Sequence, residues 1–430
     1  MLRLLTIPLG AIFLLLTGVL PAAPAPPAAI SLLGNLYFTS AHQGWIEISS
    51  SAYYTVGCQS ALRAPPACAG GTTGIFSTAD GGKTWTERLR VTGAPLVAPH
   101  LLPDAWMHAF SSQAILVLPF TDAYNSPARL YRSFDGGRTW QSARIPGPPG
   151  FSGPTDLAFA GHRRLWLILH YGAAAGSEQV SLFRTRNAGV HWSRIACIPV
   201  QGAQLRCPAP SGLGFGGFKG NIVFANATHG WLTHYDYSGI PSLFVTNDGG
   251  YHWTVTRPGL PRGVSGPSPR TGTYPDAQYE QPIPFGHFVV LPTDVNVCTT
   301  HPRRNTTCRG TLYALLSFDD GNHWTASRRI PAGANTVRPI WQAMTSHIWW
   351  SVDGSRLWAT HDAGMHWRPM PLRLPKGQQL FQIQFLSPSV GWAIAGQTSS
   401  QSGYARSTTL LRTANGGRSW AVVPLHGVAP

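Results

Sequence analysis

Residues 76–85 read FSTADGGKTW. A short apolar run leads into a hydroxyl residue, an aspartate, two glycines and a tryptophan. The pattern recurs as YRSFDGGRTW (131–140), FRTRNAGVHW (183–192), FVTNDGGYHW (244–253), LLSFDDGNHW (315–324), WATHDAGMHW (358–367) and LRTANGGRSW (411–420). These are seven copies of one turn, at spacings of 43 to 71 residues. Repeats at such a period signal a propeller or another stacked array, in which each unit buries its apolar face against its neighbours.

The turn has a readable chemistry. The Asx side chains are Asp80, Asp135, Asn187, Asp248, Asp319, Asp362 and Asn415. Each can accept hydrogen bonds from backbone amides inside the turn. The Ser or Thr two positions earlier adds a further local bond. The following tryptophan supplies a large apolar face. Asparagine replaces aspartate in two copies, which keeps the acceptor and discards the charge. Catalysis or hard-metal binding would not survive that exchange, so these seven side chains are assigned to architecture.

A second motif, F-x5-G-W, appears in FTSAHQGW (38–45), FANATHGW (224–231) and FLSPSVGW (385–392), with a degenerate copy FAGHRRLW (159–166). The first motif resembles the Asp box, or BNR repeat, of sialidase-like propellers. The two motifs in alternation resemble the photosystem II assembly factor (Ycf48/Hcf136-like) group of propellers, over nearly the whole chain after residue 29. The resemblance implies an all-β, seven-bladed β-propeller of four-stranded antiparallel blades. In each blade F-x5-G-W would form strand A, the A–B turn and the start of B, and the Asx turn would join C to D. Blades are expected at about 35–88, 104–145, 154–196, 219–257, 285–328, 338–370 and 379–424. The resemblance also implies protein partners and a non-enzymatic role in assembly.

Composition agrees with many short strands. Gly 47 and Pro 37 are abundant, aromatics reach 11% and charged residues only 11%. The first 29 residues, MLRLLTIPLGAIFLLLTGVLPAAPAPPAA, carry Arg3, an apolar run and then small residues and prolines. They read as a signal peptide or N-terminal anchor, with residues 30–430 as one propeller. An extracytoplasmic location follows, either secreted or anchored at the outer face of the membrane. The six cysteines fall as Cys58/Cys68, Cys197/Cys207 and Cys298/Cys308, each pair ten positions apart. Local pairing into three disulfides is expected, worth roughly 2–3 kcal/mol each on the chain-entropy model. No CxxC is present, so redox and structural-zinc motifs have no support.

Loops sort by topology. A–B and C–D turns share one rim; B–C and D–A connections share the other. The cysteine pairs and the long segments 48–72, 197–218, 257–284 and 291–311 map to the second rim, where binding residues are expected. Within it, Arg262, Arg270, Tyr274, Asp276, Tyr279 and Glu280 mix aromatic anchors with charge, and Arg303 and Arg304 lie inside a cysteine-bounded loop.

A sialidase-like glycan hydrolase is the competing class. That family uses three arginines, a tyrosine assisted by a glutamate, and an aspartate. Here ARIP (143–146) and RRIP (328–331) follow Asx turns rather than precede the first one. The chain has four glutamates, Glu47, Glu87, Glu178 and Glu280, and Tyr279–Glu280 is the one adjacent pair. Histidine precedes the turn tryptophan in four copies, His191, His252, His323 and His366, but each belongs to a different blade. No metal site and no cofactor are expected. The net charge of +15 arises from 17 acids against 32 bases, without basic clusters. It suits either work in acid or binding to an anionic surface, polyanion or cell wall. Sequence-specific nucleic-acid recognition is not expected, since no reader motif is present. A monomer is expected.

Overall fold

The computed structural model describes residues 30–51, 71–94, 105–119, 129–147, 156–174, 177–198, 207–208, 211–214, 216–235, 241–264, 273–301, 304–332, 340–353, 356–374, 376–398, 405–426 and 428. The N-terminal segment 1–29, Cys58, Cys68, Arg270 and Arg303 lie outside the described residues.

Every described element is a strand. Blade one is β1 (Ile30–Phe38), β2 (Gly44–Ser51), β3 (Gly71–Thr78) and β4 (Thr86–Ala94). Blade two is β5 (Ala105–Ala109), β6 (Ile115–Pro119), β7 (Arg129–Ser133) and β8 (Gln141–Arg144). Blade three is β9 (Asp156–Ala160), β10 (Arg164–Ala174), β11 (Ser177–Thr185) and β12 (Ser193–Ile198). Blade four is β13 (Phe218–Phe224), β14 (Gly230–Tyr235), β15 (Ser242–Thr246) and β16 (Thr254–Thr256). Blade five is β17 (Thr273–Tyr279) with β18 (Ile283–Phe285), then β19 (Phe288–His301), β20 (Arg304–Ser317) and β21 (Ala326–Ile330). Blade six is β22 (Trp341–Ala343), β23 (Trp349–Asp353), β24 (Arg356–Thr360) and β25 (Arg368–Pro371). Blade seven is β26 (Gln379–Phe385), β27 (Gly391–Thr398), β28 (Ala405–Thr413) and β29 (Ala421–Val422). Each sheet pairs its strands antiparallel in chain order, so the molecule is a seven-bladed propeller of four-stranded blades, with strand A of blade five split in two.

The core is the set of spaces between blades. Seven apolar clusters occupy the seven interfaces, including the one between blades one and seven. The F-x5-G-W residues build three of these interfaces in trans. Phe224 of blade four stacks on Trp166 of blade three at 3.6 Å, Phe385 of blade seven on Trp350 of blade six at 4.0 Å, and Phe38 of blade one on Trp392 of blade seven at 3.8 Å. Each phenylalanine also meets the turn tryptophan of its own blade edge-on: Trp253, Trp420 and Trp85 respectively. The motif glycine is required because the ring lies on it. A Cβ on Gly230 would sit 2.7 Å from Phe224 and 2.6 Å from the Val223 carbonyl. Where Leu165 replaces that glycine, Phe159 is only half-buried and packs instead on His108 and Phe110 of blade two.

The Asx corners lock the outer two strands of each blade. Thr78 Oγ1 donates to Asp80 Oδ1 at 2.8 Å and accepts from the Gly82 N–H at 2.9 Å, while the Thr84 N–H donates to Asp80 Oδ1 at 3.0 Å. The same bonds recur around Asn187 and Asn415. The residue after each Asx donates its N–H to the A–B turn of the same blade, as Gly81 does to His42 O and Ala363 to His347 O. Corners and A–B turns therefore share one rim. The second corner glycine docks on the preceding blade: Gly417, with φ 90°, leaves only 2.2 Å between a would-be Cβ and Leu357 of blade six.

Every blade is built from consecutive strands, so no strand is exchanged to seal the ring. Glutamine amides do it instead. Gln384 on β26 accepts from the Phe38 N–H at 2.6 Å and donates to the Phe38 carbonyl at 3.0 Å, and Gln382 bonds Leu36 in the same two ways. Gln342 on β22 grips Phe385 likewise, at 2.6 and 3.0 Å.

One ring interface carries a titration. His108 on β5 is enclosed by Trp106, Phe110 and Phe159, with the Tyr37 hydroxyl 3.3 Å from its Nε2. Burial pushes its pKa from 6.5 down to about 4. The unfolded chain therefore takes up this proton near pH 6.5 and the folded chain only near pH 4. Stability from the neutral ring is complete above pH 6.5 and falls by about 1.4 kcal/mol per unit down to the folded value. His108→Phe is expected to flatten that part of the stability–pH curve, read by denaturant titration at a series of pH values.

Candidate binding rim

Opposite the corners, blade five departs from its neighbours. β19 and β20 are 14 residues each, against 6 and 5 for the matching strands of blade four. At about 3.4 Å per residue the hairpin rises well beyond the adjoining blades. Strand A follows it: β17 pairs with Thr293–Thr299 of β19, and β18 with Phe288–Val290. The result is a three-stranded tongue. Segments 257–284 and 291–311 read as long irregular connections in the sequence, and the structure corrects this over 273–279, 283–285 and most of 291–311. Blade five consequently begins at Thr273, not near residue 285.

Cysteines fasten this rim. Cys298 and Cys308 face each other across β19 and β20, and Cys298 is disulfide-bonded. Cys197, on β12, bonds Cys207 in the connection that leads to blade four.

The residues singled out from the sequence spread across the blade rather than converge. Arg262 is exposed, and its N–H bonds Ser327 Oγ on the outermost strand at 2.9 Å. Tyr274 lies opposite Cys298 on β17, and Arg304 opens β20 opposite His301. Tyr279 is in the core: it is 4% exposed, packs with Trp231, Val289 and Leu291, and its hydroxyl donates to Gly259 O at 2.9 Å. Burial raises its phenol pKa. Glu280 occupies the break between β17 and β18, its N–H on Pro292 O at 2.8 Å.

Two groupings that the sequence did not reveal complete the picture, one of them around the singled-out Asp276. Asp276 pairs with Asn296 and Gln278 with Asp294, which sets both aspartates on one face of the sheet. Both are half-buried; burial raises the Asp294 pKa, and the neighbouring Asp276 charge raises it further. Between blades three and four, Glu178 accepts from the Lys219 N–H and binds His170 Nδ1 at 2.8 Å. Lys219 Nζ and His234 Nε2 both donate to Gly216 O. This set ties strand A of blade four to blade three beneath the Cys197–Cys207 connection. On the corner rim, a cleft of about 690 Å³ lies between blades one and seven, lined by His42, Asp80, Lys83, Asn415 and Val423 among others. Asp80 and Asn415 are held there by Thr84 and Ser419, so the cleft presents corners and not free carboxylates. No group of three His, Cys, Asp or Glu able to hold a metal occurs among the described residues.

No family model matches the sequence. The photosystem II stability/assembly factor HCF136, chloroplastic, of Arabidopsis thaliana is 24% identical over 307 residues, covering 68% of this chain and 61% of that protein. The chain thus spans about three-fifths of the length of that relative. Among solved structures, YCF48 bound to D1 peptide aligns over 90% of this chain and 94% of its own, at 16% identity and a TM-score of 0.46. The α-L-arabinofuranosidase Arb93A of Fusarium graminearum aligns over 73% and 93%, at 13% identity and a TM-score of 0.42. With its seven corners and its trans-stacked Phe–Trp pairs, the chain is a seven-bladed β-propeller, and its sequence is similar to that of HCF136.

Proposed function

We propose that this propeller is an exported, non-enzymatic scaffold that binds a protein partner on the rim opposite the corners, with the blade-five tongue as its main contact. The tongue carries the reading. It is the one blade among the described residues with 14-residue B and C strands, and a disulfide holds one of them. Rigid, projecting β-structure suits recognition of a partner surface or an extended peptide. The sequence likeness to HCF136, a stability/assembly factor, supports a role in assembly. Export is supported by the bonded cysteines and by the apolar segment at residues 4–20.

The scaffold reading is also supported by where enzyme-like residues sit. Arg144 and Arg329 lie on outer strands β8 and β21. Glu87 pairs with Arg90 on β4, Glu47 is buried beside Ser49, and Glu178 bridges blades three and four. These groups serve four different blades.

The test is affinity capture from an envelope fraction using the full chain and a shortened tongue, in which residues 297–309 are replaced by Asn-Gly between the facing Asn296 and Gly310. Loss of a captured partner at unchanged melting temperature is the expected result. An identical set of partners would overturn the reading. Arg262→Glu with Arg304→Glu, which leaves the backbone intact, gives the same readout should the shortened chain not fold.

A further inference from the structure

The corner rim has a composition unlike the rest of the molecule. It carries ten of the 16 histidines. Corner positions supply His191, His252, His323, His361 and His366; A–B turns supply His42, His162, His229, His287 and His347. All but His42 fall in blades three to six. The side chains of His252, His287, His323 and His366 are 72, 86, 82 and 82% exposed. Exposed large apolar residues gather on the same arc: Phe134, Val190, Tyr251, Phe318 and Met365 each project from a different corner of blades two to six. Phe318 and Met365 are the most exposed, at 63 and 58%.

We propose that the corner rim of blades three to six is an acid-switched docking face for an anionic membrane surface. Fixed charges of both signs stand on the rim. Lys83, Arg138, Arg163, Arg164, Arg186 and Arg418, with the buried Arg132 and Arg184 bonded to Ala188 O and Ala227 O, stand beside Asp80, Asp135, Asp248, Asp319, Asp320 and Asp362. Each histidine that takes up a proton adds a positive charge to this face. The five Asx-corner aspartates are all lowered within their turns, so they do not cancel the change by protonating. The Thr139 hydroxyl and N–H hold Asp135 at about 2, and the His323 N–H and ring hold Asp319 at about 2. Asp80 and Asp362 are lowered for the same kind of reason, by Thr84 and by His366.

Four of the histidines face carboxylates, whereas His191 Nδ1 accepts from the Asn187 amide N–H. Nδ1 of His252, His323 and His366 bonds its corner aspartate at 2.6–2.7 Å. His287 bonds Asp320, which raises its pKa. His191 faces Asn187, His229 faces Asn247 and the Asp320 carbonyl, and His347 bonds Ser346 and stacks on Phe288. His162 rests on Phe110 and Phe134, with Arg163 beside it. His42 and His361 are exposed.

A membrane fits better than a soluble polyanion because the cations are interleaved with projecting apolar side chains on one rim of a rigid ring. Apolar side chains lower their free energy by entering the headgroup boundary, and cations gain from anionic lipid. This face lies opposite the tongue, so the inference does not depend on the partner-binding reading, and the two tests fail separately.

The histidines can be removed without breaking the corners. Blades one and two use Thr84 and Thr139 where blades three to six use histidine, and both threonines bond the aspartate at 2.6 Å. The full chain is sedimented with phosphatidylcholine vesicles, with and without about 30% phosphatidylglycerol, at about pH 5.5 and 7.5. Wild type is expected to bind the anionic vesicles roughly tenfold or more tightly at the lower pH. His191→Thr/His252→Thr/His323→Thr/His366→Thr is expected to lose most of that gain at unchanged melting temperature. Phe318→Ser/Met365→Ser is expected to weaken binding at the lower pH while keeping its pH dependence. Equal binding by the threonine variant, equal binding to vesicles without phosphatidylglycerol, or acid-dependent binding to dextran sulfate with none to vesicles would each overturn the proposal.

Discussion

Phe224→Ala is expected to destabilise the propeller by about 3–5 kcal/mol, read by guanidinium unfolding followed through tryptophan fluorescence. The ring is buried, and it is enclosed on two sides. One face lies 3.6 Å from Trp166 of the preceding blade, at an interplanar angle of 6°, and the edge of Trp253 closes the other side. Deleting it opens a cavity between two blades that rigid sheets cannot collapse around, so the loss exceeds simple transfer free energy. Aromatic pairing adds about 0.5–1.5 kcal/mol beyond area. Phe159→Ala is the internal control. Phe159 occupies the same repeat position but is only half-buried, and it has Leu116 rather than a tryptophan at the matching place in the preceding blade. Its truncation is expected to cost clearly less. Equal losses at the two positions would show that the trans stack contributes nothing beyond burial.

The same pair of residues shows what the sequence disclosed and what it withheld. F-x5-G-W revealed the strand, the turn and the next strand, because spacing along a chain is local information. It did not reveal that the phenylalanine and tryptophan of one copy serve different interfaces, since periodicity sorts side chains by face and says nothing of what packs there. The Asx corners were legible for a related reason: their bonds close within five residues, so chemistry and spacing suffice.

Blade five was misread because prolines mimic loops. Pro275 lies on β17, the innermost edge strand, where no inner neighbour needs its missing N–H. Pro292 lies on β19 opposite the break between β17 and β18, so the ladder has a gap where its donor would be. The Asp276–Asp294 neighbourhood depends on that register, and no linear spacing could announce it. The histidine arc was half-visible: four copies showed histidine before tryptophan, but only the shared rim unites them with the A–B turns.

Ring closure yields the second large effect. Gln382→Leu/Gln384→Leu is expected to open the seam between blades one and seven, at about 1–3 kcal/mol for each backbone group left without a partner. Leu36 and Phe38 are buried on β1, and the two glutamine amides satisfy both the N–H and the carbonyl of each. Leucine matches glutamine in bulk and offers no polar atom, so the loss isolates the hydrogen bonds from packing. In a ring without strand exchange this seam is the one interface no chain connection crosses, and local opening should concentrate there. Hydrogen exchange is expected to accelerate in β1 and β26 well before β13 and β14. Gln342→Leu, which cuts the same kind of grip between blades six and seven, is the comparison, because the chain itself still joins those two blades. Exchange that rose uniformly through all seven blades would mean the amides hold no particular seam; exchange confined to blades one and seven identifies them as the clasp.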